Sequence, residues 1–390
     1  MTKDSHMAAA NVSRDDVLRF RFRQHQLDRG EGAANGPVDV ALLSFGVQDT
    51  GSDGAAWAMA IRGLPATEPD DVALAWTLRG APHAYHRSEL AGVAVATAPL
   101  SEADAAKRMF DAVKPLKAAG IPALEGLRVV AGHLREIATA PTPKGEASSK
   151  LTERLDEPYL RFCRPCGTTH VYEMPFRLAA LQAGLELQAG TSPPVLRRVA
   201  GLEPPMYQRL GGEADARFDV IRSYLRFYGP ARVKDAAVFL DAAVKDVRDG
   251  WPTDAVEVAV ADEEAAPRAQ PRFLLEEDLD AITAGPSAKP ARTVRLVGPY
   301  DPYLQLRDRE LLVADEARRK GLWPVLGRPG AIVADGELIG TWRPRASGRR
   351  LTLRIEPWTR ISPVDRPLIE EQAERLASHR GATLVKLTEA

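Results

Sequence analysis

Short helical runs broken by Gly and Pro, each group followed by short β-branched stretches, set the tightest limit on how this chain can fold. Residues 14–27 place Val17, Phe20, His25 and Leu27 among charges at helical spacing, with Ser13 as N-cap and Asp15 and Asp16 in the first turn. Residues 38–43 read as a second short helix, 51–54 as a loop, and 55–61 as a third helix closed by Gly63 and Pro65. Residues 74–78 and 84–85 read as strands around the turn Arg79-Gly80-Ala81-Pro82. Helix, helix, helix, hairpin is the order of a winged-helix module.

The order recurs. Residues 102–114, ended or kinked by Pro115, residues 125–139 and residues 145–155 read as helices, and residues 159–172 as a wing. Residues 173–183, interrupted near the start by Pro175, form a helix ending at Gly184. In a third group, residues 215–228 carry Phe218, Ile221, Leu225 and Tyr228 on one stripe and stop at Gly229-Pro230. Helices at 233–240 and 242–250 and an alternating strand at 255–260 follow, which puts Lys245 and Arg248 on the recognition helix. Residues 263–266 and 283–291 read as loop or linker. Beyond them, 293–296, 331–333, 338–341 and 351–355 suggest a small antiparallel sheet or barrel, with a closing helix at 365–379 and a last strand at 383–387. The expected fold class is α+β: tandem winged-helix (helix-turn-helix) modules at 13–100, 101–210 and 211–290, then a β-rich C-terminal domain at 291–390.

A chain of 390 residues, 45% hydrophobic and 27% charged, has apolar matter for several cores. No apolar run is long enough to span a bilayer and residues 1–14 are polar, so no membrane partner is expected and the cytoplasm is the simplest compartment. The net charge of −1 gives nucleic-acid binding no support by itself, so any DNA surface must be a local patch. Residues 14–29 and 292–360 are arginine-rich and 254–280 acidic; a solvated face is the alternative reading of each.

Phosphate-binding loops, dinucleotide fingerprints, His-Glu-x-x-His and nucleophile elbows do not occur, so no nucleotide cofactor is expected. Cys163 and Cys166, with His170, look like half a zinc site, but a second Cys pair is missing, and the expectation is free thiols near a wing without bound metal. Gln24-His25-Gln26 points its side chains to different helix faces and reads as structural.

What remains is an ordered set of short motifs. Gly46-Val47-Gln48, Trp76-Thr77-Leu78-Arg79-Gly80 with His83, Tyr228-Gly229-Pro230-Ala231, Tyr300-Asp301-Pro302-Tyr303-Leu304 with Arg307-Asp308-Arg309, and Val333-Ala334-Asp335-Gly336 leading to Gly340-Thr341-Trp342-Arg343 together resemble the winged-helix DNA glycosylases that unhook interstrand crosslinks, the AlkZ and YcaQ type. The resemblance spans nearly the whole chain. It implies tandem winged helices gripping duplex DNA in a cleft, and metal-free hydrolysis of the N-glycosidic bond of alkylated or crosslinked purines.

An N7-alkylguanine is already cationic and leaves readily, so such a site mainly stabilises an oxocarbenium-like sugar and holds a water. The family's catalytic motif is Gln, an aliphatic residue, then Gln or Asp; here it is Gln48, Asp49, Thr50. Gln48 would position the water with Asp49 or Thr50 assisting and His83 lining the cleft. The competing reading has Gln48 and Asp49 capping the following helix. Arg79, Arg309, Arg343, Arg345, Lys245 and Arg248 are the candidate phosphate contacts. The rivals to the enzyme are a non-catalytic winged-helix protein that recognises lesions or regulates transcription, and a scaffold whose modules do not touch DNA.

Overall fold

The computed structural model describes residues 10–51, 54–64, 71–202, 210, 215–261, 270–284 and 291–389. The expected linker at 263–266, most of that at 283–291, and Pro65 lie outside them.

The first helix, Arg14–Gln24, opens with the expected Ser13 cap, which forms a capping box with Asp16. Residues 38–43 are two 3-10 turns, Pro37–Asp39 and Ala41–Ser44, separated by an extended Val40, and not the expected helix. Gln26 explains this: its side-chain amide donates to the Asp39 carbonyl and accepts from Ala41 N–H, taking up backbone groups a helix would have paired. A short helix, Gly54–Ala60, and the strands Val72–Trp76 and Pro82–His86 follow.

Pro115 does not end a helix. The break comes at Phe110, whose φ is 50°, after Glu102–Met109, and Pro115 sits third in the next helix, Val113–Ala118. A first-turn position needs no N–H partner, so the ring fits, and Pro175 is accommodated likewise in Glu173–Gln182. Residues 215–228 split into a 3-10 turn, Ala216–Phe218, and the helix Val220–Tyr228, because Asp219 caps the N–H groups of Ile221 and Arg222.

The sheets cross the expected module limits. One six-stranded sheet runs Val47–Gln48, Pro82–His86, Val72–Trp76, Leu185–Leu187, Val195–Arg198, Thr142–Pro143. Ala10–Val12 lies parallel to Ala255–Val260, which pairs with Arg272–Leu275. The C-terminal sheet is not wholly antiparallel: the helix Asp365–His379 crosses over it, so Thr383–Glu389 joins parallel to Arg350–Pro357. One apolar core continues from Leu18 through Tyr228 to Trp342 and Leu376, while a second fills the part built on Ala123–Ile137.

Two buried carboxylates tie the segment at 300–309 to this core. Asp301 receives both terminal nitrogens of Arg62 at 2.8 and 2.9 Å, with neither side chain exposed. Asp308 receives Arg21 at 2.7 and 3.2 Å and Arg272 at 2.8 Å, and Arg21 also donates to the carbonyls of Gly229 and Pro230. Removing one partner of such a pair strands a buried charge, at about 3–5 kcal/mol. Asp301→Ala should therefore lower the urea midpoint steeply, whereas the double replacement Arg62→Met with Asp301→Leu should lower it much less; equal losses would show that the pair contributes nothing specific.

Candidate catalytic loop and nucleic-acid interface

Val47–Gln48 is a two-residue strand at the sheet edge, with Gln48 opposite His83, and Asp49 N–H donating to the Pro82 carbonyl at 2.8 Å. The strand reaches this position because Gly46, at φ 109°, lies against the Tyr85 ring; a Cβ there would stand 2.6 Å from the hydroxyl. Gln48 is half-buried, and its amide is oriented at both ends: Nε2 donates to Thr50 Oγ1 at 3.0 Å, and Oε1 lies 3.4 Å from Arg79 Nη2.

Arg79 has a left-handed backbone, φ 58°, unusual outside glycine and costing about 1–3 kcal/mol. That conformation carries its guanidinium over the Phe239 ring, 4.5 Å from the centroid, and into a 2.8 Å bond to the Phe239 carbonyl. Arg79, expected as a phosphate contact, instead directs its donors inward and orients Gln48. Burial and then the neighbouring Arg307 pull its pKa down to about 10, which leaves it charged at neutral pH.

Two further expectations are corrected. Asp49 is not turned toward Gln48's amide: its Oδ1 accepts from Ala55 N–H at 2.9 Å, so it caps the helix Gly54–Ala60 as the competing reading held. His83 does not line an open cleft. It is buried behind Gln48, with Nδ1 2.9 Å from the Ala81 carbonyl and 3.2 Å from Thr77 Oγ1, which shares a 2.7 Å bond with Tyr85. Burial, then Arg79, pushes its pKa down to about 3, so it is neutral at physiological pH.

Thr50 borders a cleft of about 300 Å³, with Trp57, Tyr300, Arg328, Trp342 and Arg343 among its walls. Arg328 lies over the Tyr300 ring at 5.2 Å, and Arg309 over Trp323 at 4.7 Å. Arg309, expected as a phosphate contact, is half-buried. Burial, then Arg307 and Arg328, lowers its pKa to about 10, and the Nε donors of Arg307 and Arg309 are buried without a partner. Arg79, Arg307, Arg309 and Arg328 thus form a chain of mutually repelling cations, of which Arg79 reaches Gln48. Shortly before Arg328 in the chain, Val325 and Leu326 are 90% and 86% exposed.

Arg343 and Arg345 are exposed on Glu337–Ser347, a strand that extends well past its sequence-read end at 341. In register, Arg343 faces Arg354 and Ser347 faces Arg350, so Arg343, Arg345, Arg350 and Arg354 share one face, while Leu351, Leu353 and Ile355 are buried on the other. Like charges directly across a ladder repel. None of Arg345, Arg350 or Arg354 pairs with a described carboxylate, although the exposed Glu356 lies farther along the same face. Sequence reading missed Arg307, Arg328, Arg350 and Arg354; the alternation of 343 with 345 and 350 with 354 around Gly348 was the available signal.

The helix bearing Lys245 and Arg248, Val244–Asp249, offers less. Lys245 pairs with Asp249 at 2.5 Å, and Asp246 accepts from Ser101 at 2.7 Å, so the two cations are balanced by two carboxylates and part of the helix is covered. Arg248 is exposed. Gln24, His25 and Gln26 are all engaged in internal bonds, the histidine against the Phe227 carbonyl. The Cys pair lies on the hairpin of Leu160–Cys163 and Thr168–Val171, where the hydrogen bond from His170 first, then Cys166, brings the Cys163 thiol down to about 7. No described helix is long and apolar enough to cross a membrane.

The fold is shared with the solved Streptomyces sahachiroi DNA glycosylase AlkZ, which superposes with a TM-score of 0.68 over 97% of this chain and 100% of its own, at 16% identity. The model of the family DNA glycosylase AlkZ-like matches residues 62–379, and the chain belongs to that family of DNA-repair hydrolases. Gln48 to Thr50 lie just upstream of the matched residues. No curated protein matches in sequence.

His25, like His83, is fully buried, and burial holds its pKa well below 6.5. Between the depressed folded value and 6.5 the unfolded chain binds more protons, so both side chains favour folding above pH 6.5 and progressively less as pH falls, by up to about 1.4 kcal/mol per pH unit each. Urea unfolding at pH 7 and pH 5 should show a clear loss at pH 5, and His83→Gln should reduce that loss; an unchanged difference would mean His83 is protonated in the fold.

Proposed function

We propose that this chain binds duplex DNA and hydrolyses the N-glycosidic bond of an alkylated or crosslinked purine, with Gln48 and Thr50 holding the attacking water. The observation that carries this reading is the amide of Gln48, pinned to Thr50, which borders the cleft with Arg328 and Arg343. With Nε2 engaged by Thr50 and Oε1 facing Arg79, Gln48 retains one N–H and a carbonyl lone pair, and Thr50 a hydroxyl proton, for a water and the adjacent sugar. A cationic leaving group needs little acid catalysis, so a neutral His83 and a capping Asp49 are compatible with the chemistry. No metal or nucleotide cofactor enters this scheme.

We read tandem winged-helix modules at 13–100, 101–210 and 211–290, the first two joined through one six-stranded sheet, followed by a β-rich C-terminal domain at 291–390. In this reading the DNA backbone runs along Arg343, Arg345, Arg350 and Arg354 toward Arg307, Arg309 and Arg328, with Arg248 a further contact. Val325 and Leu326 would press an apolar edge between base steps. The departure at Thr50 favours one alternative, a lesion-recognising protein that binds without cleaving, and the assays separate the two.

Duplex bearing N7-alkylguanine should lose its base without strand cleavage, leaving abasic sites that hot alkali cuts. Gln48→Ala should reduce release above spontaneous depurination by about 10²–10³, the loss typical of one transition-state donor, with DNA affinity nearly unchanged. Binding without release for several adducts would leave the non-catalytic reading. Arg345→Ala with Arg350→Ala should weaken binding to any sequence and flatten the dependence of log K on log salt by about one unit per lost phosphate contact; an unchanged slope would remove the hairpin from the interface.

A further inference from the structure

We propose that Cys163, Cys166 and His170 form a zinc site on the hairpin of Leu160–Cys163 and Thr168–Val171, with the fourth position open to solvent. The ligand atoms of these three residues all lie within 4.8 Å of one another. A tetrahedral ion with bonds of about 2.0–2.3 Å brings its ligands within such a span. The spacing that argued against zinc from sequence lacked a fourth protein ligand, but zinc also accepts three with one open position.

Three local features support the site. The loop from Cys163 to Cys166 closes with Gly167 at φ 65°, its N–H donating to the Cys163 carbonyl at 2.9 Å, a tight turn that brings the two thiols together as a two-thiolate knuckle requires. His170 Nδ1 is 2.8 Å from the Val171 carbonyl. With its proton on that nitrogen, Nε2 carries the free lone pair, and a backbone carbonyl is a common outer partner for a metal-bound imidazole. Finally, the hairpin has little core of its own: it is a two-stranded sheet whose Phe162 is 65% exposed, and such hairpins are marginal without a further restraint. A metal joining both strands supplies one.

The neighbouring acid is not the fourth ligand. Glu173 is held by Lys144 at 2.8 Å and Arg177 at 2.6 Å, and these residues share with the three ligands a groove of about 720 Å³. A water or small anion from that groove completes the coordination. The site is independent of the proposed base excision, since neither Gln48 nor the arginine face takes part in it.

Full-length protein purified without chelator from zinc-supplemented medium should carry one zinc per chain through gel filtration. Cys163→Ser and Cys166→Ser should each lose it. Cobalt added to the stripped protein should give the visible bands of a tetrahedral ion and a thiolate charge-transfer band. Hydrogen exchange on wild-type protein should slow on zinc addition at residues 160–171 and nowhere else, which tests the site even where a variant fails to fold. Zinc retained by a Cys163→Ser, Cys166→Ser double variant, no zinc and no cobalt spectrum in wild type, or a Cys163–Cys166 disulfide persisting under reducing purification would each overturn the proposal.

Discussion

The buried pairing of Asp301 with Arg62, and of Asp308 with Arg21 and Arg272, is the constraint on which the rest of this architecture depends. Charges taken out of water are tolerated only when their lone pairs and protons are met, so the segment between the two aspartates has one way to sit. That segment carries Arg307, and Tyr300 and Arg309 adjoin it. Its placement brings Arg307 close to Arg79, the residue that reaches Gln48. The fixed position also explains how several arginines can crowd together: the energy that keeps them close comes from the ion pairs behind them.

Beside this clamp the Gln48–Thr50 loop is set by backbone geometry. Gly46 lets the strand of Gln48 lie on Tyr85, and the left-handed Arg79 turns a cation back to the amide. Beneath them Thr77 bonds both His83 and Tyr85 in a buried layer, so the polar groups left above it are an oriented amide and a hydroxyl. Such groups suit a reaction in which positive charge moves from base to sugar and a phosphate chain lies alongside.

Local pattern made much of the fold legible. The Ser13 cap, the strand at 255–260 and the order of the C-terminal strands stand where periodicity placed them, most of the 215–228 stripe is helical, and the ordered motifs pointed to the right family. What failed was decided by distant contacts. Gln26 replaced a helix at 38–43 with two turns, and the crossover helix made the last strand parallel. Gln48 and Arg79 could be picked out, but that Arg79 orients Gln48 depends on a positive φ and on Phe239, far away in sequence. Asp301 and Asp308 stood inside recognised motifs, yet nothing local shows that their partners are Arg62 and Arg21.

The central claim is that Gln48 and its neighbours complement a cationic sugar rather than intact DNA, and affinity for a transition-state mimic tests it most directly. Duplex carrying a cationic pyrrolidine in place of one deoxyribose should bind at least about 10²-fold tighter than the same undamaged duplex, as transition-state analogues do. Gln48→Ala should erase that preference while leaving affinity for undamaged duplex in place. Equal affinity of the wild-type protein for the two duplexes would contradict the account.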